Sequence, residues 1–230
     1  MSLNKSKCLR ISGIPDEWSE DNLLQCLETL DPHVRDNEFE ISLYPACHGS
    51  GQVGMLNLSQ CTEYFKQVVP YKPFVARAQG QDLSIDCDFN GLTPLNTPPK
   101  SISADIVAVT GLAGHPYGSW KSRQSHRMWL QDFLPRDLRG ARIMTFGYDS
   151  RIEVNKGRSR MLDYARFFVD QLYIARSSKS VWVRVFWIHY LTSAPQAQSR
   201  PIVFIGHSLG GILIIQVALS AMAREREILI

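Results

Sequence analysis

Pro201-Ile202-Val203-Phe204-Ile205-Gly206-His207-Ser208-Leu209-Gly210-Gly211-Ile212-Leu213 is an apolar run, a serine bracketed by glycines, and a second apolar run. The pattern predicts a strand, a tight turn and a helix. In the spacing G-x-S-x-G the serine takes a strained turn, and the glycines let strand and helix approach without side-chain clashes. The hydroxyl of Ser208 is thereby lifted from the sheet to the start of a helix, where backbone N–H groups and the helix dipole can stabilise an oxyanion. These residues make a nucleophile elbow. The stretch 201–223 is largely apolar, but its central glycines fit a buried strand and helix, not a transmembrane span.

Outward from this motif, residues 105–230 read as parallel α/β. Ile106 to Val109 is a continuous apolar strand, followed by a glycine-rich loop from Thr110 to Trp120. Met128, Trp129, Phe133 and Leu134 supply the buried side of a short helix that Pro135 is expected to end. Arg142 to Phe146 is the next strand, and Met161, Leu162, Ala165, Phe168, Val169 and Leu172 define an amphipathic helix. Ile202 to Ile205 is the third strand. Crossovers between parallel strands place the loops after all three along one sheet edge, where ligands bind.

Ser180 to Ser199, with the apolar run Val181 to Leu191, interrupts this rhythm where a short connection is expected. It reads as an extra strand or lid, as an interfacial membrane contact, or as translated non-coding sequence. The flanks join naturally without it.

From about Asp105 onward, apart from this insert, the chain resembles the serine active site-containing protein family, the DUF676-type lipase-like α/β-hydrolases. The carrying residues are Val109 to Trp120 (VTGLAGHPYGSW), Trp129-Leu130, Asp132 to Pro135, Arg142-Ile143, Gly147 to Asp149, and Arg200-Pro201 leading into Gly206 to Gly211. The resemblance implies a partial α/β-hydrolase with three parallel strands and crossover helices, and an esterase or lipase-like acyl hydrolysis with Ser208 as nucleophile. It implies oxyanion donors at the backbone of Leu209 and in the loop after the first strand, around Gly111 and Leu112. Where the family usually has His-Gly in that loop, this chain has Thr110-Gly111. Some members imply lipid-related substrates and association with mitochondrial or endoplasmic-reticulum membranes, and related fungal domains look like signalling modules.

His115 and Asp149 are candidates for the rim of the site, Asp149 also for the catalytic acid. Loop and turn roles are open to both. The side chain of His207 is expected to point away from the serine, and His126 and His189 have no supporting context. In such hydrolases the acid and the histidine follow the serine, whereas Met222 to Ile230 contain no histidine. The expectation is therefore a truncated domain, inactive alone, with the strand 202–205 left as an exposed apolar edge. Loss of the base costs on the order of 10⁶ in turnover. The rival reading is a non-catalytic signalling or protein-interaction module on a hydrolase scaffold. No spacing indicates a metal or cofactor.

The first 92 residues differ in charge, with 7 Lys and Arg against 13 Asp and Glu, whereas residues 93–230 carry 18 against 9. Cys8 to Ile14, Phe39 to Tyr44, Gln52 to Leu58 and Leu83 to Phe89 read as strands. Ser19 caps a helix with Leu23, Leu24, Leu27 and Leu30 on one face, and Gln60 to Val69 offers a second. The order βαββαβ predicts an α+β ferredoxin-like domain with a four-stranded antiparallel sheet. It resembles an RNA-recognition motif over about residues 7–92, in topology more than in chemistry. The strands Leu9 to Ile14 and Gly51 to Leu58 hold no aromatic ring for base stacking, and the acidic balance opposes phosphate binding. Nucleic acid is thus an unfavoured partner, with Arg10 the one residue in its favour, and a protein-interaction role is preferred. Thr93 to Ala104, with Pro94, Pro98 and Pro99, reads as a linker. All five cysteines lie in the first half without C-x-x-C spacing, as in a reduced intracellular protein. No secretory signal is visible, which points to an intracellular protein of the cytoplasm or nucleus.

Overall fold

The computed structural model describes residues 7–36, 38–125, 127–149, 157–176 and 200–227; side chains of 157–160 and 220–227 are not described. The insert at 180–199, His126 and His189 lie outside the described residues. The chain is a mixed α/β protein with two sheets and divides into two compact units, Met1–Ala46 with Ser50–Phe89, and Cys47–Gly49 with Asn90–Ile230.

The first unit contains β1 (Lys7–Ile14), α1 (Glu20–Leu30), β2 (Phe39–Pro45), β3 (Gln52–Leu58), α2 (Glu63–Lys66), β4 (Phe74–Ala78) and β5 (Gln81–Asp86). Its antiparallel sheet runs β2-β3-β1-β5-β4. Ser19 starts α1 through a capping box with Asn22, which satisfies two otherwise orphaned donors. Leu23 and Leu27 are fully buried with Leu9, Ile11, Leu56, Phe65 and Ile85, each such side chain contributing roughly 1.5–3 kcal/mol.

Two expectations change here. The sheet has five strands, because Phe74–Ala78 pairs with β5 across a turn in which Gln79 and Gly80 both take positive φ, 51° and 76°. The second helix is one turn long, because Thr62 caps it and Pro70 and Tyr71 (φ 61°) then turn the chain into a bridge between Val69 and Lys72. Arg10 is already engaged. Its Nε donates to Asp86 at 2.8 Å and its guanidinium lies 5.6 Å from the Phe89 ring centre.

The second unit contains β6 (Gly91–Pro94), β7 (Ala104–Val109), α3 (Trp129–Asp132), α4 (Leu134–Asp137), β8 (Ala141–Gly147), α5 (Gly157–Arg176), β9 (Ile202–Gly206) and α6 (Leu209–Glu227). Its sheet runs β6-β8-β7-β9, with β7 parallel to both neighbours and β6 antiparallel to β8. The beginning of the expected linker is therefore a strand. Thr93 and Leu95 are fully buried, and Asn96 donates to the Ala141 carbonyl at 2.9 Å and accepts from the Ile143 amide at 2.8 Å. Pro94 is tolerated because β6 is at the sheet edge, where a missing N–H breaks no ladder. Pro135 likewise opens α4 instead of ending a helix, at a position whose N–H has no intrahelical partner.

Val107, Val109, Phe146, Phe168, Leu172 and Leu213 form the core, with the Phe146 and Phe168 rings stacked 4.1 Å apart. At the N-terminal end of β7, Asp105 is wholly buried. Its carboxylate accepts from Arg142 at 2.8 Å, Arg176 at 2.7 Å and Arg200 at 2.8 Å, so it ties β8, the end of α5 and the entry to β9 to one point. Burial pushes the Arg176 guanidinium down from its ordinary value, outweighing the opposing effect of Asp105. Among the described residues β9 is the edge strand opposite β6, and Val203 is half exposed, as are Ile212, Ile215 and Leu219 on α6.

Candidate functional site

Val109 lies opposite both Phe146 and Gly206 in the parallel register. The segments leaving β7, β8 and β9 therefore emerge at one edge: Thr110 to Trp120, Tyr148-Asp149, and His207-Ser208. Strands in a sheet are about 4.8 Å apart, so β8 and β9 stand roughly 10 Å from each other.

Ser208 has φ 53°, in the left-handed region. For a residue with a Cβ this costs about 1–2 kcal/mol. The neighbouring contacts hold it there. The His207 amide donates to the Val109 carbonyl at 3.1 Å, and the amides of Gly210 and Gly211 donate to the carbonyls of His207 and Ser208, each at 3.0 Å.

Glycines make this approach possible. A Cβ on Gly206 would lie 2.7 Å from Gly211 Cα, and one on Gly210 would lie 2.2 Å from the Val109 carbonyl oxygen. A Cβ on Gly111 would lie 2.8 Å from both the His207 carbonyl oxygen and Ser208 Cβ. The loop after β7 thus touches the serine itself. Gly211 needs no such space, since a Cβ there meets nothing within 4 Å.

The loop is held by hydroxyl groups. Thr110, fully buried, donates from Oγ1 to Ser119 Oγ at 2.7 Å, and its carbonyl accepts from the Tyr148 hydroxyl at 3.1 Å. Thr145 Oγ1 donates to the Pro116 carbonyl at 2.8 Å. The Gly114 amide closes a turn onto the Gly111 carbonyl at 3.0 Å, with Ala113 at φ 51°. Burial pushes the Tyr148 phenol up to about 12, with a smaller contribution from Tyr164.

His115 Nδ1 accepts from the amides of Tyr117 at 3.1 Å and Gly118 at 3.0 Å. Those donors leave the proton of a neutral ring on Nε2. The His207 ring lies against the loop, with Nδ1 3.2 Å from the point where a Gly111 Cβ would sit, and it packs edge-on against Trp120 at 6.4 Å. Among the described residues, none forms a hydrogen bond with the Ser208 hydroxyl. Asp149 is half-buried beyond the end of β8, its carbonyl accepting from the Tyr164 hydroxyl. Leu209 opens α6, and Leu112 is exposed at the turn.

Sequence reasoning flagged Thr110 only as a departure from the pattern of the resembled family and missed Thr145 and Tyr148 as supports. Hydroxyl residues placed one or two positions around strand ends were the available signal. Among the described residues no group of three or more His, Cys, Asp or Glu is placed to hold a metal ion. No helix among them is long and apolar enough to cross a membrane. Cys26, Cys47 and Cys61 are buried, and burial raises the thiols of Cys26, Cys61 and Cys87, which lowers their reactivity.

One curated protein resembles the chain. Over 145 residues this chain is 23% identical to Protein SERAC1 of Mus musculus, a match covering 56% of this chain and 20% of that protein. The relationship is distant, and the matched part spans about a fifth of the relative's length. No family model and no solved structure matches the chain.

Proposed function

We propose that the second unit is an α/β-hydrolase-type domain in which Ser208 is the nucleophile for hydrolysis of an ester or lipid-like acyl substrate. The observation carrying this reading is the left-handed Ser208 at the strand-to-helix turn, in contact with the glycine loop after the neighbouring strand. The backbone N–H of Leu209, at the start of α6, and one from Gly111 or Leu112 are the oxyanion donors in this proposal. Asp149 belongs to the same edge as acid or rim group, while His115 shapes the rim by fixing the 115–118 turn.

The proton acceptor is assigned to a residue outside those described. The Nδ1 of His115 is occupied by two amides, and the His207 ring packs on Trp120 without a hydrogen bond to the serine. Without a base the hydroxyl is a poor nucleophile. That observation also favours the second reading, a non-catalytic interaction module on the same scaffold. For the first unit, the strand order β2-β3-β1-β5 with α1 supports the ferredoxin-like, RNA-recognition-motif-like plan, and the engaged Arg10 favours a protein partner over nucleic acid.

The test is reaction with an aryl fluorophosphonate in the presence of imidazole as external base, comparing the parent chain with Ser208→Ala. A Ser208 adduct found by peptide mass spectrometry, absent from the variant, supports the hydrolase reading. Equal incorporation in both, or none in either, favours the scaffold.

A further inference from the structure

The loop after β7 has a glycine-bearing turn, 111–114, that touches Ser208, and the one large side chain within that turn, Leu112, is exposed. What pins the turn is a pair of hydroxyls. A Cβ on Gly114 would fall 2.2 Å from Thr110 Oγ1 and 2.9 Å from Ser119 Oγ, so the two oxygens occupy the space beneath the turn and the loop folds over them. The Tyr148 hydroxyl, just past the end of β8, donates to the Thr110 carbonyl at 3.1 Å. The same carbonyl stands 2.6 Å from where a Gly210 Cβ would be, at the first turn of α6. One buried residue thus meets the loop, the neighbouring strand and the elbow.

We infer that Thr110, through Ser119 and Tyr148, is a positioning residue that holds the Gly111–Gly114 turn against Ser208 and so fixes the oxyanion donors of the proposed acyl-transfer site. This rests on the reading of Ser208 as nucleophile. The physical argument is one of preorganisation: an oxyanion donor works because it is already aimed when charge develops. Buried Thr110 Oγ1 has one hydrogen to place, and Ser119 Oγ at 2.7 Å takes it. Valine at 110 keeps the size and removes the bond, leaving the Ser119 hydroxyl without its donor. Serine at 110 keeps the bond. Neither residue touches a substrate in this scheme; both act through the turn.

The experiment compares the parent, Thr110→Val, Thr110→Ser and Tyr148→Phe by two readouts. The first is the rate of Ser208 phosphonylation by an aryl fluorophosphonate with imidazole. The second is amide hydrogen exchange at Gly114, whose N–H closes the turn onto the Gly111 carbonyl. Thr110→Val is expected to slow phosphonylation about tenfold to a hundredfold, below the 10²–10³ of losing a donor outright, and to speed Gly114 exchange at least about tenfold. Thr110→Ser is expected to restore both, and Tyr148→Phe to fall between. Strand amides in β7 and β8 keep parent rates in all four.

If the parent labels at Ser208 and Thr110→Val labels equally fast, the inference is overturned while the hydrolase reading stands. If no protein labels, the hydrolase reading falls. The exchange data then decide the hydroxyl pair alone: unchanged Gly114 protection in Thr110→Val overturns it, and loosening reversed by serine upholds its hold on the turn.

Discussion

Neighbouring glycines at the start of α6 should respond in opposite directions to the same substitution. In Gly210→Ala the new methyl meets the Val109 carbonyl oxygen at 2.2 Å and the Thr110 carbonyl oxygen at 2.6 Å, against an ordinary contact of 3.4 Å or more. Both obstacles are buried backbone at the end of β7 and the start of the loop that follows it, so relief requires α6 to move by about 1 Å, the scale of the overlap. Such a shift strains the bond from the His207 amide to the Val109 carbonyl and the packing of Leu213 and Val217 in the core. Overpacking of this kind costs about 1–3 kcal/mol, and two carbonyl clashes place it near the upper end. In Gly211→Ala the methyl meets nothing within 4 Å, and replacing glycine by alanine in a helix stabilises by up to about 1 kcal/mol. The two variants should differ by roughly 3–4 kcal/mol. At about 2–4 °C per kcal/mol, calorimetry should show the second unit of Gly210→Ala melting about 6–12 °C below the parent and that of Gly211→Ala slightly above it. A Gly211→Ala variant as damaging as Gly210→Ala, or a silent Gly210→Ala, would refute the close approach of the elbow to β7.

Ser208→Gly should raise stability by up to about 1 kcal/mol, since glycine accepts φ 53° without the Cβ penalty; urea denaturation beside Ser208→Ala, which retains the strain, checks this. The raised Tyr148 phenol, at about 12, makes the folded state hold a proton that an unfolded tyrosine, near 10, releases. Stability is therefore complete below about pH 10 and declines as pH rises towards 12, and Tyr148→Phe should flatten that decline in denaturation curves at pH 9 to 11.5.

The elements with strong local patterns were legible: Leu23 and Leu27 one turn apart, the strand-like runs of β1, β2 and β3, and the apolar runs of β7 and β9 all appear where their patterns put them. Elements were missed where a local signal pointed the other way. Pro94 argued against a strand, but at a sheet edge its missing N–H is harmless. The β4–β5 hairpin turns on Gln79-Gly80, and glutamine is an unusual residue for positive φ. Tertiary contacts governed the site. The sequence contains Thr110, Ser119 and Tyr148 at separations of 9 and 38 residues, and only the pairing of β7 with β8 brings them to one carbonyl and one hydroxyl. The contact of the His207 ring with Trp120 is likewise tertiary, joining residues 87 positions apart.

The most direct test of the account is the site of covalent modification by an aryl fluorophosphonate, read by peptide mass spectrometry with and without imidazole. The account predicts an adduct on Ser208 that forms at a background rate alone, is accelerated by imidazole, and disappears in Ser208→Ala. Incorporation that spares Ser208, or that is undiminished in Ser208→Ala, would contradict it.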